Sequence, residues 1–350
     1  MVSVAGNIEG VGLPPAGNSS SEAAFAELVE AHRGELHAHC YRMLGSLHDA
    51  DDALQDTLVR VWRGLPSFRG RSSLRTWLYR IATNVCLDMI ARRPQRVLPI
   101  DYAPASAPGP GGTERALPEE LWIEPYPDEA LGVPDGAAAP DVRYERREAL
   151  ELAFVAALQH LPARQRAVLV LRDVLGFSAS EAAEAFATTV PSVNGALRRA
   201  RAAVDERLPD CSQQATLRAL GDRGLRDLAE RFADSFERGD IEAILAMLVE
   251  DATFEMPPYP EWCRGREAIG SSWLMPGGPP PRLRYAQTRA NGQLALGVYL
   301  IDPAEGGYVP LALDVLTLRG ALISDVMAFR APVVFRRFGL PERLPPAGHR

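Results

Sequence analysis

Residues 49–93 read DADDALQDTLVRVWRGLPSFRGRSSLRTWLYRIATNVCLDMIARR, and charge is sorted along them in a way that a plain structural helix pair does not need. Asp49, Asp51, Asp52 and Asp56 come first. Arg60, Arg63, Arg69, Arg71, Arg75, Arg80, Arg92 and Arg93 come after them, opposed only by Asp88. Leu54, Leu58 and Val61 recur at helical spacing and face a core. Asp49, Asp52 and Asp56 form a separate stripe, with Gln55 beside it and Trp62 at its end. Taken alone, the stripe reads as a solvated helix face. The basic stretch C-terminal to it reverses that reading. Ser67–Ser73 is a polar loop centred on Gly70, and the next helix turns Leu74, Trp77, Leu78 and Ile81 inward. Arginines interleaved with Phe68, Trp77 and Tyr79 suit phosphate neutralisation with stacking of unpaired bases. Trp77 is expected in the core, and Tyr79 is open between core and surface. An acidic docking helix joined to a basic aromatic surface describes a two-partner adaptor, one partner a protein and the other nucleic acid.

The pattern DxxDxxQDTLVRVW followed by SFRGRSSLRTWLYRIATN resembles region 2 of the extracytoplasmic-function group of the sigma-70 family. The resemblance implies that Asp49, Asp52, Gln55, Asp56 and Trp62 bind the clamp of the RNA polymerase β′ subunit. It implies that the loop Phe68, Arg69, Gly70, Arg71 and Ser72 captures a base flipped from the melted −10 element, a step that costs unstacking energy. Arg75, Arg80, Asn84, Arg92 and Arg93 would continue that contact.

A second motif stands on its own. In LGFSASEAAEAFATTVPSVNGALRRARAAVDERL, residues 175–208, Gly176 breaks the chain and Ser178 or Ser180 can cap a short helix through Phe186. Ala187-Thr188-Thr189 is a turn, and Thr189 can cap the next helix, in which Val193, Leu197, Ala200 and Val204 form the buried stripe. Asn194, Arg198 and Arg201 stay exposed. This is a helix-turn-helix with a cationic reading face. Such patterns also occur in helical hairpins whose arginines only solubilise. Downstream of the first motif it resembles sigma region 4, which implies reading of the −35 element by Thr189, Ser192, Val193, Asn194, Gly195, Ala196, Arg198, Arg199 and Arg201, and contact with the polymerase β flap. Many relatives carry Lys and Arg where this chain has Asn194 and Ala196; Asn pairs with adenine where Arg or Lys favours guanine, so the preferred sequence is expected to differ.

The 350 residues leave room for two or three domains, and a net charge of −7 argues against non-specific DNA binding by the whole molecule. Cys40, Cys86, Cys211 and Cys263 are scattered, without a metal-binding spacing, so neither a metal nor a cofactor is expected. No apolar run approaches membrane-spanning length, residues 1–24 read as a disordered leader and not a signal peptide, and a cytoplasmic location is expected. Residues 97–142 hold nine prolines, five glycines and nine acidic side chains against Arg115. They read as an extended acidic linker unable to bury a core. Within them, Trp122, Ile123 and Tyr126 of LWIEPYPD form an apolar island expected to dock on something. It resembles a Trp-Pro-acidic linker motif of sigma factors with an extra C-terminal domain.

From about Asp222 the pattern turns to two amphipathic helices and then strands, with Gln293–Ile301, Val309–Leu318 and Ala321–Phe329 reading as an antiparallel meander. FADSFERGDIEAILAMLVEDATFEMPP and WCRGREAIGSSW resemble the SnoaL-like cone fold. The expected architecture is multidomain: helical region 2 at 25–96, the linker at 97–142, helical region 4 at 143–208 and an α+β SnoaL-like regulatory domain at 222–345, which together resemble the SigG-like group of actinobacteria. No histidine lies between Leu161 and Gly348, so a base in the cone would have to be Asp251, Glu255, Asp314 or Asp325, with Tyr259, Tyr285 or Tyr299 as hydroxyl donor. Each is equally a turn, strand or rim residue. The reading is a non-enzymatic transcription initiation factor that uses core RNA polymerase and promoter DNA as partners, with an unknown small ligand in the C-terminal domain left open. A cyclase or isomerase with a helical extension is disfavoured by the missing histidine, and a helix-turn-helix repressor by the polymerase-docking segment.

Overall fold

The computed structural model describes residues 18–70, 72–106, 115–131, 148–209, 211–273, 282–304, 306–330 and 332–346. The first unit is a three-helix bundle of α1 (Asn18–Leu44), α2 (Leu47–Gly64) and α3 (Leu74–Ile90). Helix begins at Asn18, inside the stretch expected to be a leader, which corrects that boundary. Gly45 ends α1 at φ 69°, and Ser46 caps α2 by accepting from Asp49 N. Leu54 and Val61 are buried as their spacing predicts, and so are Trp77, Leu78 and Tyr79. Gly64 leaves room for the Trp77 ring, which would lie 3.0 Å from any Cβ there.

The segment after α3 is not the loose tether its composition suggests. Val97 pairs with Trp122, a short helix α4 (Pro99–Tyr102) comes next, and residues 115–131 lie across the first unit as a strap. The second unit contains α5 (Leu152–Gln159), α6 (Ala163–Leu169) continued by a wider turn Val170–Val174, α7 (Ala179–Ala185) and α8 (Val190–Asp205). Ser178 forms a reciprocal capping box with Glu181, and Thr189 caps α8. Val193, Leu197, Ala200 and Val204 are the buried stripe.

The third unit starts earlier than Asp222. Helix α9 (Gln213–Arg238) is broken at Gly221, and the turns before the break already belong with the sheet, since Gln213 exchanges two hydrogen bonds with the Leu318 backbone. After α10 (Ile241–Ala246) come β1 (Leu248–Glu255), β2 (Trp262–Arg264), α11 (Arg266–Trp273), β3 (Leu283–Ala290), β4 (Gln293–Ile301), β5 (Tyr308–Arg319) and β6 (Leu322–Phe329). The sheet order is β2-β1-β6-β5-β4-β3, with β1 and β6 parallel and the other neighbours antiparallel.

Alternation along the strands splits the sheet into two faces. Leu294, Leu296, Leu316 and Val326 face α9, α10 and α11 in the core of the third unit. Ala295, Tyr299, Leu313, Val315, Met327 and Phe329 belong to a different core, shared with Leu36, Tyr41, Ile123, Tyr126 and Leu150. The outer face of the sheet is thus an interface with the helical units.

Candidate functional site

The acidic stripe divides. Gln55 and Asp56 are exposed, the Asp52 side chain is 47% accessible, and Trp62 is 41% exposed with its ring edge-on to Phe25. Val59, 47% exposed, lies among them, so this face carries two exposed apolar side chains, Val59 and Trp62. Asp49 departs from the expected stripe. It is 3% exposed, ion-paired to Arg93, and accepts from Arg96 at 2.8 and 3.2 Å. Arg96 also donates to Trp122 O at 2.6 Å and Glu119 O at 3.1 Å. Burial lowers the Arg96 pKa, while the nearby Glu124 opposes that shift. This arginine anchors the strap; its distant partners gave no signal in the sequence.

On the basic side, Arg69, Gly70, Asn84 and Arg92 are exposed, and Gly70 takes the left-handed conformation at φ 65°. Arg71 lies outside the described residues. Phe68 packs on Trp77 with ring centroids 5.0 Å apart, Ser72 and Arg80 are partly buried, and Arg93 points to Asp49 and Asp52. Arg75 is engaged by the second unit: it donates to Leu175 O at 2.7 Å and stands 4.4 Å from the centre of the Phe177 ring. Thr76 donates to Glu181 at 3.2 Å, and Tyr79, now placed in the core, meets Phe177 edge-on. Deeper in the same contact, Arg166 is 4% exposed and donates to Met43 O, Gln159 and Leu161 O. Burial pushes the Arg166 guanidinium down to about 10.

The helix-turn-helix face is open. Thr189, Ser192, Asn194, Arg198, Arg199 and Arg201 are exposed, Gly195 and Ala196 partly so, and Val193 is buried in the domain core. Arg201 is held by Asp173 through two hydrogen bonds of 2.6 and 2.8 Å, which raises its pKa.

Trp122, Ile123 and Tyr126 are 3%, 1% and 0% exposed, so the island does dock, against the first unit and the third together. Glu124 accepts from Leu47 N and His48 N at the start of α2, and Tyr41 donates to Glu124 O at 2.8 Å. Tyr126 is 2.9 Å from His37 Nδ1. On the other side, Tyr126 N donates to Asn291 Oδ1 at 2.7 Å, and Asn291 N returns a bond to Tyr126 O at 2.8 Å. The Asn291 amide also donates to Tyr41 Oη and Leu150 O, both at 2.8 Å. Asn291 and Gly292 have φ 55° and 70°, the geometry an Asn-Gly hairpin turn favours. That dipeptide between apolar runs was readable as a turn; its three-way contact was not.

Two of the third unit's four candidate carboxylates, Glu255 and Asp325, are neighbours on paired strands, and the other two stand apart from them. Asp251 is exposed and paired with Arg319; Glu255 accepts from Ile100 N at 2.9 Å, under α4; Asp325 accepts from Thr253 at 2.6 Å. Burial and the neighbouring Asp325 push Glu255 well up, and burial pushes Asp325 up to about 6. Asp314 alone lies on the helix-covered face, pushed up to about 7 by burial. Tyr299 donates to Pro341 O, Tyr285 sits among Phe232 and Phe236, and Tyr259 is partly buried. Burial and the nearby Asp314 push the Tyr285 hydroxyl up, so these two groups face each other inside the helix-covered side of the sheet.

Residues 28–96 match sigma-70 region 2, residues 146–204 match sigma-70 region 4, and residues 229–326 match the SnoaL-like domain. The ECF RNA polymerase sigma factor SigG of Mycobacterium tuberculosis is 42% identical over 322 residues, 91% of this chain and 85% of that protein. The chain belongs to the ECF RNA polymerase sigma factors. The ECF sigma factor SigW of Bacillus subtilis is 30% identical over 53% of this chain and 90% of its own length. The crystal structure of the sigma factor SigJ of Mycobacterium tuberculosis, at 18% identity, superposes with a TM-score of 0.55 over 91% of this chain and 99% of that one, which places the fold. In this ECF sigma factor, the first unit is region 2, the second region 4, and the third SnoaL-like. No helix among its described residues is long and apolar enough to cross a membrane.

Proposed function

We propose that this sigma factor contacts the polymerase β′ clamp through Asp52, Gln55, Asp56, Val59 and Trp62, and the β flap through region 4. The −10 element is read around Phe68–Asn84 and the −35 element by the exposed face of α8. It acts where the polymerase is, in the cytoplasm. The SnoaL-like domain is a non-catalytic brake: together with the strap it holds regions 2 and 4 against each other. The observation that carries this reading is Arg75, a basic residue of the expected DNA surface, covered by Leu175 and Phe177 of region 4. While that contact stands, one side chain cannot serve both region 4 and melted DNA.

Asn291→Gly tests the brake. Glycine keeps the left-handed turn, so the hairpin is preserved, while the amide's bonds to Tyr126, Tyr41 and Leu150 are lost. Run-off transcription with limiting core polymerase is expected to rise several-fold, with Trp122→Ala giving part of the same rise. Equal or lower transcription from Asn291→Gly contradicts the brake and leaves the domain as a stabilising passenger.

A further inference from the structure

Where region 2, the strap and the SnoaL-like domain meet, the structure leaves a cavity of about 650 Å³. Trp122, Ile123, Pro257, Pro258, Phe329 and Val334 form its apolar walls. Small-molecule sites have this size, and domain junctions are a common place for them. Most of the charged groups around it have protein partners. Asp49 is held by Arg93 and Arg96, Glu124 caps α2, and Arg337 pairs with Asp51. Glu119 and Glu120 lie exposed at the rim, where water and salt screen them.

Arg330 differs from the rest. It is partly buried just beyond β6, its backbone N–H donates to Pro257 O at 2.9 Å, and its guanidinium has no partner among the described residues. A guanidinium with unfilled donors beside apolar walls is suited to a planar anion, above all a carboxylate that can accept two parallel bonds. We infer that this cavity binds a small aromatic or alicyclic monocarboxylate, its anionic end on Arg330 and its apolar body against Trp122, Phe329 and the Pro257–Pro258 turn. One cation without a carboxylate partner, with Glu119 and Glu120 exposed at the rim, favours a ligand carrying no more than one negative charge. The ligand site thus lies outside the helix-covered interior of the SnoaL-like domain.

The walls come from region 2, the strap and the SnoaL-like domain, so the ligand binds only while these are assembled and stabilises that assembly by mass action. This consequence rests on the brake proposed above; the binding itself does not. Isothermal titration calorimetry of the full-length chain with 2-naphthoate, and with the uncharged 2-naphthamide, tests the site. Naphthoate is expected to bind at one saturable site. Binding should weaken roughly tenfold or more in Arg330→Gln and for naphthamide, the equivalent of one charge-assisted bond. It should be unchanged in Arg319→Gln, whose guanidinium is held by Asp251. No binding of naphthoate up to millimolar concentration, equal binding of the amide, or full affinity in Arg330→Gln overturns the inference. Naphthoate that binds as expected and leaves run-off transcription unchanged upholds the site and overturns only its coupling to the brake.

Discussion

Asp49 and Asp56 stand seven positions apart in one acidic run and have opposite surroundings. Asp56 is exposed, and a charge reversal there costs little stability, within about 0.5 kcal/mol for a surface position. Asp56→Arg is expected to fold normally by chemical denaturation and to lose co-purification with core polymerase; undiminished co-purification removes it from the interface. Asp49→Ala removes the carboxylate that accepts two bonds from the buried Arg96 and leaves only Glu124 at 3.5 Å, a loss bounded by the cost of a fully broken buried pair, about 3–5 kcal/mol. Its defect is therefore expected in the denaturation midpoint rather than in polymerase contact as such. Helical spacing alone assigns both residues to one stripe. What separates them is a guanidinium 47 positions away, and the sequence carries no mark of that pairing. Arg75 teaches the same thing: its charge and place in the motif were legible, its burial under Phe177 was not.

The recognition helix α8 is the element whose sequence says most. Thr189 as cap and Val193, Leu197, Ala200 and Val204 as buried stripe are local features, and the structure contains them. Its exposed face supports a split between sequence reading and phosphate binding. Asn194→Ala is expected to relax preference at one base pair of the −35 element, about 1–3 kcal/mol of discrimination. Arg198→Ala is expected to weaken all sequences alike and flatten the salt dependence. Arg201→Ala should do so less, because Asp173 already holds that guanidinium. Binding titrations over a set of single-base variants and salt concentrations separate the three; an unchanged sequence profile in Asn194→Ala takes it off the reading face. The strap is the element whose composition misled. Proline, glycine and acid with few aliphatics predict an open tether, because such a chain cannot build a core of its own. Here the burial is supplied by neighbours: His37 and Tyr41 from one side and Asn291 from the other close over Tyr126.

At the scale of the molecule, three units legible in the sequence are joined by contacts that were not. Motif spacing and periodicity gave helix, turn and strand because these rest on neighbouring residues. The docking of region 4 on region 2 through Arg166, and of the sheet's outer face on both through Asn291, rests on pairs more than a hundred positions apart. Regions 2 and 4 are held against each other in this arrangement, so on the proposed reading two separated promoter elements are reached only when it opens. Opening is a shift between two states, driven by the unequal affinity of polymerase and promoter for them. The measurement that tests this most directly is the distance between spin labels on regions 2 and 4. Glu30→Cys and Glu184→Cys place both labels on exposed positions. A Cys211→Ser background removes the exposed native thiol, and Cys40, Cys86 and Cys263 are buried. Double electron–electron resonance is expected to give one short, narrow distance in the free chain and a clearly longer one in the complex with core polymerase and promoter. The same short distance in a complex that transcribes would contradict the account.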